Sequence, residues 1–193
     1  MTSLPMPNVV VVAGKKRSGK DTFCDSLAPD GFVKVHIAET WLREWFEARG
    51  MNPDEWETLK SAHREAIQRD ATIARAEDEL VVVRRTMARI NELHAEGKRV
   101  AVTAVRFNNE ALWAIRAGFL VVQVEVDDEV RRERFQRSGE SLALFDDPFE
   151  ADLGPDFPCH LTIDGNQNPL AYPIILSAGF TSLHGFRAQA LAG

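Results

Sequence analysis

Residues Asn8 to Thr22 constrain this chain more than any other stretch. Asn8 to Ala13 is a short run built on Val9-Val10-Val11-Val12 and closed by Gly14. Apolar throughout and β-branched, it predicts a strand buried on both faces. Gly14-Lys15-Lys16-Arg17-Ser18-Gly19-Lys20-Asp21-Thr22 follows, with four residues between the glycines and a lysine after the second. Gly19 to Ala28 then fits a helix whose Phe23 and Leu27 face inward. Glycines at both ends of such a bend let its main-chain N–H groups turn inward toward an anion. The helix beginning near Gly19 adds its positive dipole end, and Lys20 adds a point charge. The sum is a cradle for a polyphosphate, with Lys20 at the outer phosphates. A plain strand-to-helix turn with a solvated basic cluster is the bland alternative, and the correct pattern on both sides argues against it.

The position after the lysine usually carries a hydroxyl that binds Mg²⁺, and here it is Asp21 followed by Thr22. A carboxylate could hold magnesium directly or through water, since the ion favours oxygen ligands. Asp21 could equally cap the helix. Asp21 and Thr22 are the candidate metal ligands.

Further along, Phe32 to Ile37 reads as a second strand, and Glu39 to about Glu96 as helical, interrupted once around Gly50 to Pro53. Arg99 to Val105, Phe119 to Val126 and His160 to Asp164 read as further strands, with helices over Asn108 to Ala117 and Asp127 to Arg137. Ser138 to Pro158 is irregular, and the pattern beyond Asn166 is weak, with room for one helix. Strands alternating with helices predict an α/β fold, an about five-stranded parallel sheet flanked by helices. Ligands on such a sheet sit at the carboxyl ends of its strands. The expected organisation is a single domain over 1–193 with a helical insert at about 39–96 and a lid at about 131–158.

Were such a cradle to serve phosphoryl transfer, the reaction would need alignment and charge stabilisation more than a strong base. Arg131, Arg132, Arg134 and Arg137 on the helix after the fourth strand are candidates to meet the transferring group. Arg131 and Arg137, on neighbouring faces, are the preferred pair, joined by Arg17 and Lys20 of the loop as catalytic candidates. Glu129, Glu133 and Glu140 could instead pair with them on a solvated face. Lys60, Arg64 and Gln68 recur every four residues, so one helix face would carry two cations and an amide suited to an acceptor. Arg106 leaves the third strand at its carboxyl end, followed by Asn109 and Glu110, which could contact an acceptor or begin the next helix. Trp41, Leu42, Trp45 and Phe46 could wall a pocket or simply fill a core.

Gly14 to Thr22 resembles the phosphate loop of phage-type deoxynucleoside monophosphate kinases, members of the P-loop kinases. Thr103-Ala104-Val105-Arg106-Phe107-Asn108-Asn109-Glu110-Ala111 is similar to a second segment of that family, usually Asp-Val-Arg-Phe, one variable residue, then Asn-Glu-Ala. Lys60, Arg64 and Gln68 resemble its substrate-side helix. Animal-type phosphomevalonate kinases have a similar loop and a stretch like His63 to Asp70, and are the nearest rival. The resemblance implies transfer of the γ-phosphoryl of ATP to a deoxynucleoside monophosphate, with Mg²⁺ and small-molecule partners. It places the Asp164-Gly165-Asn166 loop that follows the last strand near the adenine, with Asn166 as a contact, and leaves room for a homodimer. Ala104 departs from the pattern, because the family usually has aspartate there. Asp21, Thr22 or Thr103 would have to cover that role, or activity is reduced to that of an ATP-binding module.

Composition sets the outer bounds. The 193 residues, 45% apolar and 27% charged, suit one ordinary domain with a sizeable core. A net charge of -6 argues against a protein that coats nucleic acid. Cys24 and Cys159 have no metal-type spacing, which predicts free thiols in a reducing compartment. No apolar stretch reaches the roughly 20 residues that span a bilayer, and Met1 to Pro7 lacks the pattern of a secretory leader. The expected location is cytoplasmic, the host's cytoplasm for a phage-encoded chain, with no membrane partner.

Overall fold

The computed structural model describes residues 7–139, 142 and 145–166. The helix expected beyond Asn166 lies outside the described residues. Five strands form one sheet: β1 (Val9–Ala13), β2 (Phe32–His36), β3 (Arg99–Val105), β4 (Leu120–Glu125) and β5 (Leu161–Asp164), in the order β2-β3-β1-β4-β5. The sheet is parallel, with Val9 opposite Val100 in β3 and Val10 opposite Leu120 in β4. β1 is therefore central, and all five of its residues are buried. That is the environment in which an unbroken valine run belongs. Each buried valine removes apolar area worth about 1.5–3 kcal/mol relative to exposure.

Two compact units make up the chain, 1–34 with 99–193, and 35–98. In the first, α1 (Lys20–Ser26) packs Phe23, Cys24 and Leu27 onto Val10, Val12, Val122 and Ile163 of the sheet. Helices α6 (Asn108–Arg116) and α7 (Asp128–Arg137) follow β3 and β4.

The second unit holds α2 (Glu39–Glu47), α3 (Trp56–Leu59), α4 (Arg64–Glu77) and α5 (Val81–Ala95). Gly50, at φ 70°, ends the first helical stretch where the sequence suggested. Two further breaks were not expected. Lys60 to His63 is a turn, so Lys60 lies outside α4 and does not share one helix with Arg64 and Gln68. At Asp78 the backbone turns extended, and its carboxylate takes the N–H of Leu80 at 3.0 Å and Arg84 Nε at 2.9 Å. A short acidic side chain bonding locally in this way competes with helix continuation. Trp41, Leu42, Trp45 and Phe46 are all buried in this unit. Trp45 Nε1 donates to Asp70 at 3.0 Å, and the Arg49 guanidinium lies 3.8 Å above its ring.

Candidate functional site

From Ala13 the chain bends through Gly14 (φ 148°), Arg17 (φ 66°) and Gly19 (φ 103°) into α1. Gly14 cannot be replaced at constant geometry: a Cβ there would lie 2.6 Å from Ser18 Oγ and 2.7 Å from Val124 O. Ser18 N–H donates to Lys15 O at 3.0 Å, closing the bend, and Phe23 N–H donates to Gly19 O at 2.9 Å, starting the helix. Gly19 offers no side chain to cap α1, so the first-turn N–H groups face the bend.

Lys20 is 5% exposed, and its Nζ donates to Lys15 O at 3.5 Å. Burial holds its pKa below the ordinary lysine value, Arg106 pushing the same way and Asp21 and Glu150 opposing. Asp21 Oδ2 lies 3.8 Å from that ammonium, and Thr103 Oγ1 donates to Asp21 Oδ1 at 3.1 Å. Asp21 and Thr22 are exposed at the mouth of the bend. Thr103 rather than Ala104 therefore faces the loop from β3. The register explains why: Val12 pairs with Thr103 but Ala13 with Val105, so Ala104 is the extra residue of a bulge, at φ 67°.

The arginines of α7 divide differently from the sequence expectation. Arg134 donates to Arg17 O at 3.2 Å, Ser18 O at 3.0 Å and Gly165 O at 2.9 Å, joining the bend to the end of β5. Arg131, preferred from the sequence, is instead fully buried, donating to Phe145 O and stacked 3.7 Å from the Phe145 ring. Arg137 is 77% exposed and paired with Glu133 at 3.0 Å. A helix face is chosen by how the helix docks, which side-chain spacing alone does not give. Asn166 N–H donates to Asp164 Oδ1 at 2.9 Å, forming a tight turn beside Gly165.

Part of the stretch expected to be a mobile lid is tied down by three carboxylates. Asp147 Oδ2 accepts from Arg106 Nη1 at 3.3 Å, Glu150 Oε1 from Lys16 N–H at 2.8 Å, and Asp152 Oδ2 from Asn108 N–H at 2.9 Å. Glu150 Oε1 also lies 3.9 Å from Arg106 Nη2. The Asp147-Pro148 start of a helical turn was a visible signal for this strap, since Asp caps and Pro opens such turns. Its destination was not visible.

Of the remaining acceptor candidates, Glu110 is taken up locally. Its buried carboxylate accepts from the N–H of Arg106 at 3.2 Å and of Phe107 at 3.4 Å, capping α6 rather than facing a ligand. Asn109 Oδ1 accepts from Glu110 N–H at 2.8 Å. In the second unit, Lys60 Nζ sits 4.7 Å above the Trp56 ring, while Arg64 and Gln68 stand one turn apart on α4. Among the described residues no group of three or more His, Cys, Asp or Glu side chains could hold a metal. No described helix is long and apolar enough to cross a membrane. Cys24 and Cys159 are free thiols, and burial pushes Cys24 up to about 12.

A glycine-bounded bend between a central parallel strand and a helix, with a buried lysine inside it, defines a P-loop fold. The AAA domain family profile matches residues 10–151, and the chain belongs to that family. Among solved structures it is similar to TT1252 from Thermus thermophilus, at 18% identity and a TM-score of 0.55 over 93% of this chain and 99% of that one. It is also similar to a gluconokinase from Sinorhizobium meliloti 1021, at 17% identity and a TM-score of 0.54 over 96% and 99% of the two chains. At those identities the likeness is one of fold. No curated protein matches the sequence.

Proposed function

We propose that this chain is a P-loop kinase that transfers the γ-phosphoryl group of ATP to a deoxynucleoside monophosphate, giving ADP and the diphosphate. The observation that carries the reading is the buried Lys20 ammonium inside the Gly14–Thr22 bend, at the carboxyl end of the central strand. There the loop amides and Lys20 would hold the β- and γ-phosphates, and Arg134 would keep the bend rigid from behind. Arg106, leaving β3 beside the bend, is the candidate ligand of the acceptor phosphate. Lys60, Arg64 and Gln68 remain the proposed acceptor contacts of the second unit. Asp21 and Thr22 supply oxygen donors of the kind Mg²⁺ prefers, and Thr103 orients the Asp21 carboxylate. When bound, that ion would offset charge on the phosphates.

Coupled ADP release with ATP, Mg²⁺ and a panel of deoxynucleoside monophosphates tests the reading. Turnover with at least one of them is expected, and Lys20→Ala should lower it by ~10²–10³-fold, the usual effect of losing a charge-stabilising donor. Protein that binds ATP yet turns over none of the panel would sink the acceptor assignment. Turnover of phosphomevalonate alone would move it to that substrate.

A further inference from the structure

Arg106 stands beside two carboxylates, Asp147 at 3.3 Å and Glu150 at 3.9 Å, and the two are held unequally. Lysines in this position reach the outer phosphates of a bound nucleotide. Here Lys20 Nζ donates to Lys15 O, which places that end of the cradle at Lys15 and Lys16. The next amide along, Lys16 N–H, is taken by Glu150 Oε1 at 2.8 Å. Glu150 is 4% exposed, and its Oε2 accepts no hydrogen bond among the described residues. Asp147 is better held, by Arg106 Nη1 at 3.3 Å and by Phe149 N–H at 3.1 Å on its two oxygens. Glu150 is thus an anion seated where an outer phosphate belongs, with half its accepting capacity unmet.

We infer that Glu150 is a donor-selectivity residue that keeps the place of the terminal phosphate. The γ-phosphoryl group of ATP displaces it from Lys16 N–H, and ADP, which lacks that group, does not. Two anions cannot share one amide in a site this dry without strong repulsion. Displacement also takes the Glu150 carboxylate away from Arg106, with Asp147 staying beside it. The guanidinium then regains capacity for an acceptor phosphate, so donor binding comes first. Only this last step rests on the acceptor reading of Arg106 proposed above.

Calorimetric titration of ATP and ADP, with Mg²⁺ in every arm, into wild-type protein and Glu150→Gln is the direct test. Glutamine keeps an oxygen for Lys16 N–H but drops the charge. ATP should bind the variant ~10-fold more tightly, equivalent to about 1.4 kcal/mol, with ADP affinity unchanged within about twofold. Unchanged or weaker ATP binding, or equal tightening of ATP and ADP, would overturn the inference. Hydrogen exchange on the wild-type protein needs no variant. ATP, and not ADP, should speed exchange in the peptide spanning 145–153; slowing, or no change, refutes displacement. If both donor experiments succeed while no deoxynucleoside monophosphate binds the ATP-loaded protein, the acceptor reading fails and the role of Glu150 stands.

Discussion

Ala104 adopts φ 67° at the end of β3, a conformation that L-residues other than glycine, asparagine and aspartate avoid. The bulge that forces it also turns Thr103 toward Asp21, so local strain and site geometry have one origin. Ala104→Gly should keep or raise stability, by up to ~1 kcal/mol, whereas a β-branched Ala104→Val should lose ~2 kcal/mol or more. Urea melts of both variants measure this. Lys20 makes a second prediction. Its charge is disfavoured by burial, so the ammonium is lost at a lower pH than for an ordinary lysine. ATP affinity should therefore fall on the alkaline side before the ordinary lysine range, and Lys20→Arg, which stays charged, should flatten that profile. The linked effect on folding has the opposite sign. Keeping Lys20 protonated opposes the fold fully below its lowered pKa, and that penalty fades as pH rises toward 10.5. Gly14 and Lys20 were legible because their chemistry is contained in one short segment. Glu150 was not, since it reaches Lys16 across 134 positions of sequence and belongs to no motif.

On the scale of elements, α7 shows what periodicity leaves open. The sequence placed four arginines on it and preferred Arg131 and Arg137, but the helix docks with Phe135 fully buried and Arg134 turned to the bend. Arg134→Ala should cost ~2–3 kcal/mol of stability, because three carbonyls lose a charged donor at once. It should also weaken ATP binding, by loosening Arg17 and Ser18. Arg134→Lys should recover only part of this, since an ammonium cannot span the carbonyls of two segments as a planar fork does. Thermal melts and ATP titrations of both variants check it. The helical block of the second unit teaches a similar point. Its break at Gly50 was readable from Gly and Pro, while the break at Asp78 depends on one carboxylate choosing Leu80 N–H and Arg84 over continued helix.

For the molecule as a whole, the parallel sheet followed from the alternation of strands and helices, but its order β2-β3-β1-β4-β5 did not. Strand order depends on which edges meet after crossover, and short apolar runs carry no such label. The cradle at the end of the central strand should make ligand binding a property of the entire fold. ATP at about 100 times its Kd should add ~2.7 kcal/mol, raising the melting temperature by roughly 5–11 °C for a chain of this size. Lys20→Ala should abolish most of that shift, which a dye-based melt with and without ATP would record.

The position of β1 also dictates a timetable for a chain emerging from the ribosome. Its valines are paired only when Val100 and Leu120 have been made, and a lone apolar strand has no stability of its own. Pairings this distant in sequence form slowly, after the loops between them have closed. The phosphate loop, though it precedes β3 and β4 in the polypeptide, thus becomes competent only after both strands have been made.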